Sequence, residues 1–139
     1  MLPPHADARG HLFEIFTTRS APLADPIVHV YQVHALPASI RGWNYHARQS
    51  DRLCFSDGQF KVVLIDIRED SPTAGSRVEL ELGEHRPALL FIPPFVVHGV
   101  GNIGPHRASF LNFPTRPWDP ADPDKFRLPI TSPLIEGGW

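Results

Sequence analysis

Proline sets the tightest limit on what this chain can become: sixteen of its 139 residues are proline, and ten more are glycine. Proline removes a backbone donor and clashes with the preceding turn, so it breaks helix interiors and is confined to strand edges, bulges and turns. Such a chain favours many short strands joined by turns and argues against a helical bundle. No segment carries a helical period, and there is no internal repeat or low-complexity tract.

The strands can be placed from local pattern. Met1 to Ala6 reads as a loose arm, Asp7-Ala8-Arg9-Gly10 as a turn, and Leu12 to Thr17 as a first strand. Ser20 to Pro26 links it to a second strand over Ile27 to His34, and Arg41 to His46 reads as a third. Phe60 to Arg68 is almost continuously apolar, the pattern of a strand covered on both faces. Arg77 to Leu82 alternates strictly, as a strand with one wet face should, and Ala88 to Ile92, Phe95 to Val100 and Arg107 to Phe113 complete the set. From Pro114 to Trp139 prolines are too frequent for regular structure, which predicts a tail wrapped over the body and pinned by Trp118, Phe126 and Trp139. About eight short strands with turn-rich links predict an all-β sandwich or jelly roll in one domain.

Composition narrows the function. With a formal net charge of -2 and interspersed acids and bases, no basic face is available to neutralise the phosphates of a nucleic acid. No apolar run reaches the length of a membrane span, and the N-terminus lacks the pattern of a signal peptide, so neither membrane nor secretion is expected. The single cysteine, Cys54, reads as a core residue and fits a reducing, cytoplasmic setting.

The chemistry concentrates between Arg41 and Gly58. On a strand from Arg41 to His46, the period of two puts Gly42, Asn44 and His46 on one face and Arg41, Trp43 and Tyr45 on the other. Asn44-x-His46, four residues, Asp51, six residues, Gly58 has the spacing of the first cupin motif, His-x-His-x4-Glu-x6-Gly, with ligand positions changed. Ile92 to Asn102 fits the second, Pro-x-Gly-x2-His-x3-Asn, with His98 in place and Phe95 where glycine is usual. Together they make the chain resemble a cupin, a double-stranded β-helix over residues 1–139. Residues 1–26 would form an arm and first strand, and residues 114–139 a Pro-rich tail packed on the barrel.

The resemblance narrows with Asp7-Ala8-Arg9-Gly10 and Glu14, Arg41 to Tyr45, Leu64 to Arg68 with Ser71 to Gly75, and Ile92-Pro93-Pro94 with His98-Gly99. Over nearly its whole length the chain resembles the dTDP-4-dehydrorhamnose 3,5-epimerase family, cupin enzymes that are usually dimeric and act on a 4-keto-6-deoxy nucleotide sugar without metal. The resemblance implies that Arg9 and Arg41 hold the pyrophosphate, that Glu14 lies near the nucleotide, that Asp66 and His98 line the sugar pocket, and that Arg52 replaces a lysine common in the family. It also implies departures. The family's histidine base falls on Asn44, its tyrosine acid on Asn112, and the aspartate that orients the base on Ser132-Pro133. An amide cannot accept a proton near neutral pH. The base then becomes His98 or His46, with Asn44 and Asn112 donating to the keto oxygen.

Three functions are therefore open. The first is a homodimeric epimerase-like isomerase of deoxysugar or polysaccharide biosynthesis with a non-standard acid–base set and no cofactor. The second is a catalytically inactive sugar-binding cupin. The third is a metal-dependent cupin enzyme, in which His46, Asp51 and His98 would hold a divalent ion such as iron or manganese. The other histidines, His29 among them, have no motif around them and read as surface or structural groups; Arg48 and Arg68 read as surface charges.

Overall fold

The computed structural model describes residues 1–17, 19 and 25–139, and these form eleven strands and no helix. The strands are β1 (His5–Asp7), β2 (Gly10–Leu12), β3 (Tyr31–Ala35), β4 (Ile40–Tyr45), β5 (Asp51–Phe55), β6 (Gln59–Asp66), β7 (Arg77–Gly83), β8 (Ala88–Ile92), β9 (Val96–Asn102), β10 (Ala108–Asn112) and β11 (Phe126–Arg127). β1 and β2 make a separate hairpin. The remaining strands form a four-stranded sheet, β3-β10-β5-β8, and a five-stranded sheet, β11-β4-β9-β6-β7, both antiparallel. The two sheets enclose one core as an all-β jelly roll, as expected.

What positions the site is a change of character along the inward-facing residues. On β5 they run Phe55, Leu53, Asp51; on β10, Ala108, Phe110, Asn112; on β9, Val100, then His98. The apolar ends meet in a cluster around Phe55, Phe60 and Phe110, whose ring centroids lie 5.1 to 5.5 Å apart. Edge-to-face and tilted contacts at such separations are favourable for aromatic rings. One end of the barrel is thus filled, and the polar ends of the same strands line an open cavity at the other.

The outer faces are covered by the termini. The C-terminal tail packs Ile135, Leu128, Ile130 and Trp139 against Trp43, Val63 and Val97, and the Trp43 indole donates to the Ile130 carbonyl at 3.3 Å. The N-terminal arm lays Leu2, Phe13 and Ile15 on Cys54, Phe113 and Leu111. Cys54 is a core residue as expected, with 1% of its surface exposed.

Several elements differ from the sequence reading. The strand expected over Leu12 to Thr17 is absent, because β2 ends at Leu12 and Phe13 and Ile15 cover a sheet face instead of joining a ladder. The second strand begins only at Tyr31, and the link expected from Ser20 falls largely outside the described residues. β5, with all five residues buried, is a strand inside the motif stretch that the local pattern does not announce. The tail contains a short strand, β11, paired to β4. Within it Phe126 stacks on Tyr45 at 4.8 Å and Trp139 packs on Trp43 at 5.8 Å, whereas Trp118 is 65% exposed and pins nothing.

Candidate active site

The cavity has a volume of about 640 Å³ and opens between the two sheets under residues 114–127 of the tail. That size lies within the range of small-molecule sites. β4 contributes Arg41, Gly42 and Asn44, and His46 follows directly after it. The alternation that brings Gly42, Asn44 and His46 to one face is as expected. Arg41 joins them in the cavity across an irregularity in the β4–β9 register between Arg41 and Asn44.

Asp51, at the start of β5, is the hub. Its Oδ2 lies 3.3 Å from His46 Nε2 and 3.5 Å from His98 Nε2, while Oδ1 accepts from Gln49 Nε2 at 2.8 Å and from Asn112 Nδ2 at 3.0 Å. Burial alone would raise its pKa; the His46 hydrogen bond, the His98 and His46 charges and the Asn112 bond override it and hold the group at about 2. Asp51 is therefore an anion at any working pH.

The two imidazoles around it are pulled in opposite directions. His46 meets an acceptor at each nitrogen, the Asp124 carbonyl at Nδ1 and Asp51 at Nε2. Burial opposes its charge, but the hydrogen bond and charge of Asp51, with Asp124 behind, outweigh burial and raise the pKa. His98 donates Nδ1–H to the Val96 carbonyl at 3.1 Å, and its deeper burial prevails over Asp51 and lowers its pKa. The surroundings thus favour His46 as the proton donor and His98 as the neutral base, with Nε2 the nitrogen not given to the Val96 carbonyl. A pair of titratable groups driven apart by their surroundings is the usual mark of an acid–base assignment.

Asp124 fixes the loop that carries His46. Its carboxylate accepts from the backbone N–H groups of Ala47, Arg48 and Gln49 at 2.9, 2.9 and 2.7 Å, and its carbonyl takes the His46 ring. Arg48 pairs with Asp122 at 2.7 Å across the cavity mouth. Farther along the tail, Lys125 and Arg127 line the cavity, and β11 sets Arg127 opposite Asn44. Burial and the charges of Arg127 and Arg41 lower the Lys125 pKa, although Asp51 pulls it the other way. Among the described residues none of Arg41, Lys125 and Arg127 has a carboxylate partner.

Of the residues expected at the site, Arg41, Asn44, His46, Asp51, His98 and Asn112 come together. Four do not, and each has a local reason. Arg9 lies on the exposed β1–β2 turn, bound to its neighbour Asp7 at 2.6 Å. Glu14 lines a separate hollow of about 460 Å³ beside Leu2 and Phe16. Arg52 follows Asp51 on a strand and so faces away from the cavity. Its buried guanidinium donates to the carbonyls of Phe113, Asp25 and Pro26 at 2.6, 2.9 and 3.2 Å and lies over the Phe16 ring. Asp66 is taken up by Arg68, Ser71 and Thr73 at 2.7, 2.6 and 2.6 Å, a structural knot below the β6 end. Nor does Ser132 reach the cavity: it caps its own turn through Leu134 N, and the tail residue that orients a cavity histidine is Asp124.

Sequence reasoning missed Tyr31, Gln49, Asp124, Lys125 and Arg127, and it left His29, also in the cavity wall, without a place. The Asp122-Pro123-Asp124 run was the available signal for the tail. His46, Asp51 and His98 also offer donor atoms within 4.8 Å of one another, the set that could hold a divalent ion. No buried side-chain nitrogen or oxygen among the described residues is without a neighbour, but with Nδ1–H given to Val96 the His98 Nε2 lone pair faces the Asp51 carboxylate at 3.5 Å, an acceptor pair that an ion or a proton could bridge.

Several known proteins of similar length match this chain. A dTDP sugar isomerase from Desulfovibrio desulfuricans G20 superposes with a TM-score of 0.88 at 26% identity, over 100% of this chain and 87% of that one. Among curated proteins, the probable low-salt glycan biosynthesis epimerase Agl13 of Haloferax volcanii is 34% identical over 140 residues, 99% of this chain and 89% of the relative. The spore coat polysaccharide biosynthesis protein SpsL of Bacillus subtilis is 33% identical over 138 residues, 99% of this chain and 91% of the relative. The family model described as dTDP-4-dehydrorhamnose 3,5-epimerase matches residues 2–130, and with these relatives it shows that the chain belongs to the dTDP-4-dehydrorhamnose 3,5-epimerase family.

Proposed function

We propose that the protein is an epimerase of a 4-keto-6-deoxy nucleotide sugar in deoxysugar or polysaccharide biosynthesis, working as a cytoplasmic homodimer with His98 as its base. The observation that carries this reading is the pair of imidazoles set against one buried carboxylate, Asp51, which raises the pKa of His46 while deeper burial lowers that of His98. A proton alpha to a ketone is removed by a neutral base, and His98 Nε2 is such a base on the cavity wall. Asn44, paired with His98 across β4 and β9, stands where an amide N–H can donate to the developing enolate oxygen. Arg41, Lys125 and Arg127, without a carboxylate partner among the described residues, supply positive charge for the diphosphate. This replaces the Arg9 and Arg41 pair implied by resemblance.

The test is incubation with dTDP-4-keto-6-deoxyglucose in deuterated water. Wild-type enzyme should wash deuterium into C3, C5 or both, and the His98→Gln variant should lose at least about a hundredfold in that rate. No deuterium incorporation by wild type refutes the reading. Specific thermal stabilisation by the nucleotide sugar without exchange would favour the inactive sugar-binding alternative.

A second reading, a metal-dependent enzyme, draws on the three donors within 4.8 Å. An ion there would occupy the Nε2 lone pair that the first reading needs. Exchange that survives exhaustive chelation favours the acid–base reading; loss on chelation with recovery on adding iron or manganese favours the metal.

A further inference from the structure

Tyr31 has no role in anything above, yet it is the phenol of the cavity. The chain has two tyrosines, and the other, Tyr45, is stacked on Phe126 and does not line the cavity. Tyr31 opens β3, and its strand partner across the β3–β10 ladder is Asn112. Asn112 Nδ2 donates to the Tyr31 hydroxyl oxygen at 2.8 Å and to Asp51 at 3.0 Å. An amide NH₂ is a donor only, so it occupies a lone pair of the phenol and leaves the phenol's own proton free to point elsewhere. The group is anchored through its oxygen while its O–H is unspent.

Its position relative to His98 matters more. Tyr31 belongs to the four-stranded sheet and His98 to the five-stranded sheet, and the cavity lies between the two. Asp51, from the Tyr31 sheet, meets His98 at 3.5 Å, and a ring bound beside that contact between the sheets can turn one face to each. Inverting a carbon requires a proton to leave from one face and another to arrive at the opposite face.

On the epimerase reading, we propose that Tyr31 is the catalytic acid that delivers the proton on the face opposite His98. His98 Nε2 takes the proton alpha to the keto group, leaving an enolate. The Tyr31 O–H bond then breaks, its proton forms the new C–H bond on the other face, and the ketone is restored. The carbon has lost one proton and gained one; His98 is left protonated and Tyr31 as phenolate, and the enzyme is reset when His98 gives its proton to solvent and Tyr31 takes one from it. Burial and the charge of Asp51 both raise the phenol's pKa, which keeps it protonated and ready to donate.

The experiment is Tyr31→Phe, which removes one oxygen and leaves the ring. Epimerised product and deuterium incorporation are followed together by NMR in deuterated water with dTDP-4-keto-6-deoxyglucose. The expected result is a split: inversion falls by at least about a hundredfold, whereas exchange with retention of configuration continues, since His98 can still remove a proton and return one to the same face. Wild-type rates of inversion in Tyr31→Phe overturn the proposal, as does an equal loss of inversion and exchange in a variant that melts like wild type. 3-Fluorotyrosine at residue 31 lowers the phenol pKa and should move the alkaline limb of the inversion profile to lower pH; an unmoved limb also overturns it. Wild-type enzyme that neither exchanges nor inverts would fail at the earlier step, the epimerase reading itself.

Discussion

Replacing Asp51 by Asn tests the hub of the site, because the amide keeps the shape and one acceptor oxygen while it removes the charge and makes the other oxygen's place a donor. Asp51 is 4% exposed, and its pKa of about 2 against an ordinary 3.8 corresponds to about 2 kcal/mol of stabilisation. The raised pKa of His46 is the same contact seen from the other partner and is not added. The sign follows from both groups. A depressed carboxylate stabilises above its unfolded pKa of 3.8 and loses that contribution as pH falls through about 2; a raised histidine stabilises below 6.5 and loses its contribution as pH rises through its folded value. The contact is therefore worth most between those limits. At pH 5.5, Asp51→Asn should melt about 8 °C below wild type, at about 4 °C per kcal/mol for a chain of this size. About half of that gap should be gone by pH 3, and it should also narrow at alkaline pH. Differential scanning calorimetry at pH 3, 5.5 and 9 reads it out. A gap that is constant across pH, or absent at pH 5.5, would mean that the carboxylate is not the partner holding His46 charged. Deuterium exchange should fall in the same variant, since His46 loses the anion that keeps it protonated.

Two other perturbations reach different parts of the molecule. Lys125→Gln and Arg127→Gln should each weaken dTDP binding about tenfold, the size of a lost charge-assisted hydrogen bond, while Arg77→Gln, which removes the same charge far from the cavity, should not; calorimetric titration at low and high salt checks this, and equal affinity in all three would refute the cationic wall. Gly101 leaves no room for a methyl, since a Cβ there would lie 2.3 Å from Trp139 Cζ2. Gly101→Ala should therefore cost about 1–3 kcal/mol, and deleting Trp139 should abolish most of that cost, a non-additivity measurable by chemical denaturation.

The fold and half of the site could be read from the chain because both rest on period and spacing. Asn44, His46, Asp51 and His98 were found because strand alternation and the distance between two motifs fix which side chains share a face. The tail was not readable in the same way. Its prolines correctly ruled out long elements, but they say nothing of where a two-residue strand will dock, so Asp124, Lys125 and Arg127 entered the site unannounced. Arg52 was misplaced for the opposite reason. It was chosen by its resemblance to a basic residue, while the phase of β5 gives the inward position to Asp51 and turns Arg52 toward the arm, where three carbonyls take its charge. Tyr31 illustrates what a single sequence cannot contain. It lies in a stretch read correctly as a strand, yet its meaning depends on the pairing of β3 with β10, a contact between residues 81 apart in the chain.

The two positions on which resemblance places the family's base and acid have similar neighbourhoods. Asn44 is paired across strands with His98, and Asn112 with Tyr31, so each amide lies beside the side chain to which we assign the missing chemistry. Neighbouring strands are about 5 Å apart, a distance that side chains as long as tyrosine can span toward a shared point. On the proposed reading a role would move sideways by one strand without rebuilding the cavity, with Asn112 anchoring the Tyr31 hydroxyl. This makes the transposition testable. Tyr31→Asn alone should lose inversion as Tyr31→Phe does. The double variant Tyr31→Asn with Asn112→Tyr returns a phenol to the same sheet, one strand over, with an amide opposite to hold it, and should recover at least about a tenth of the wild-type inversion rate if the function belongs to the phenol and not to the strand. A double variant that folds and exchanges deuterium but inverts no better than Tyr31→Asn would show that the acid must stand on β3, and the interchange of neighbouring positions would be wrong.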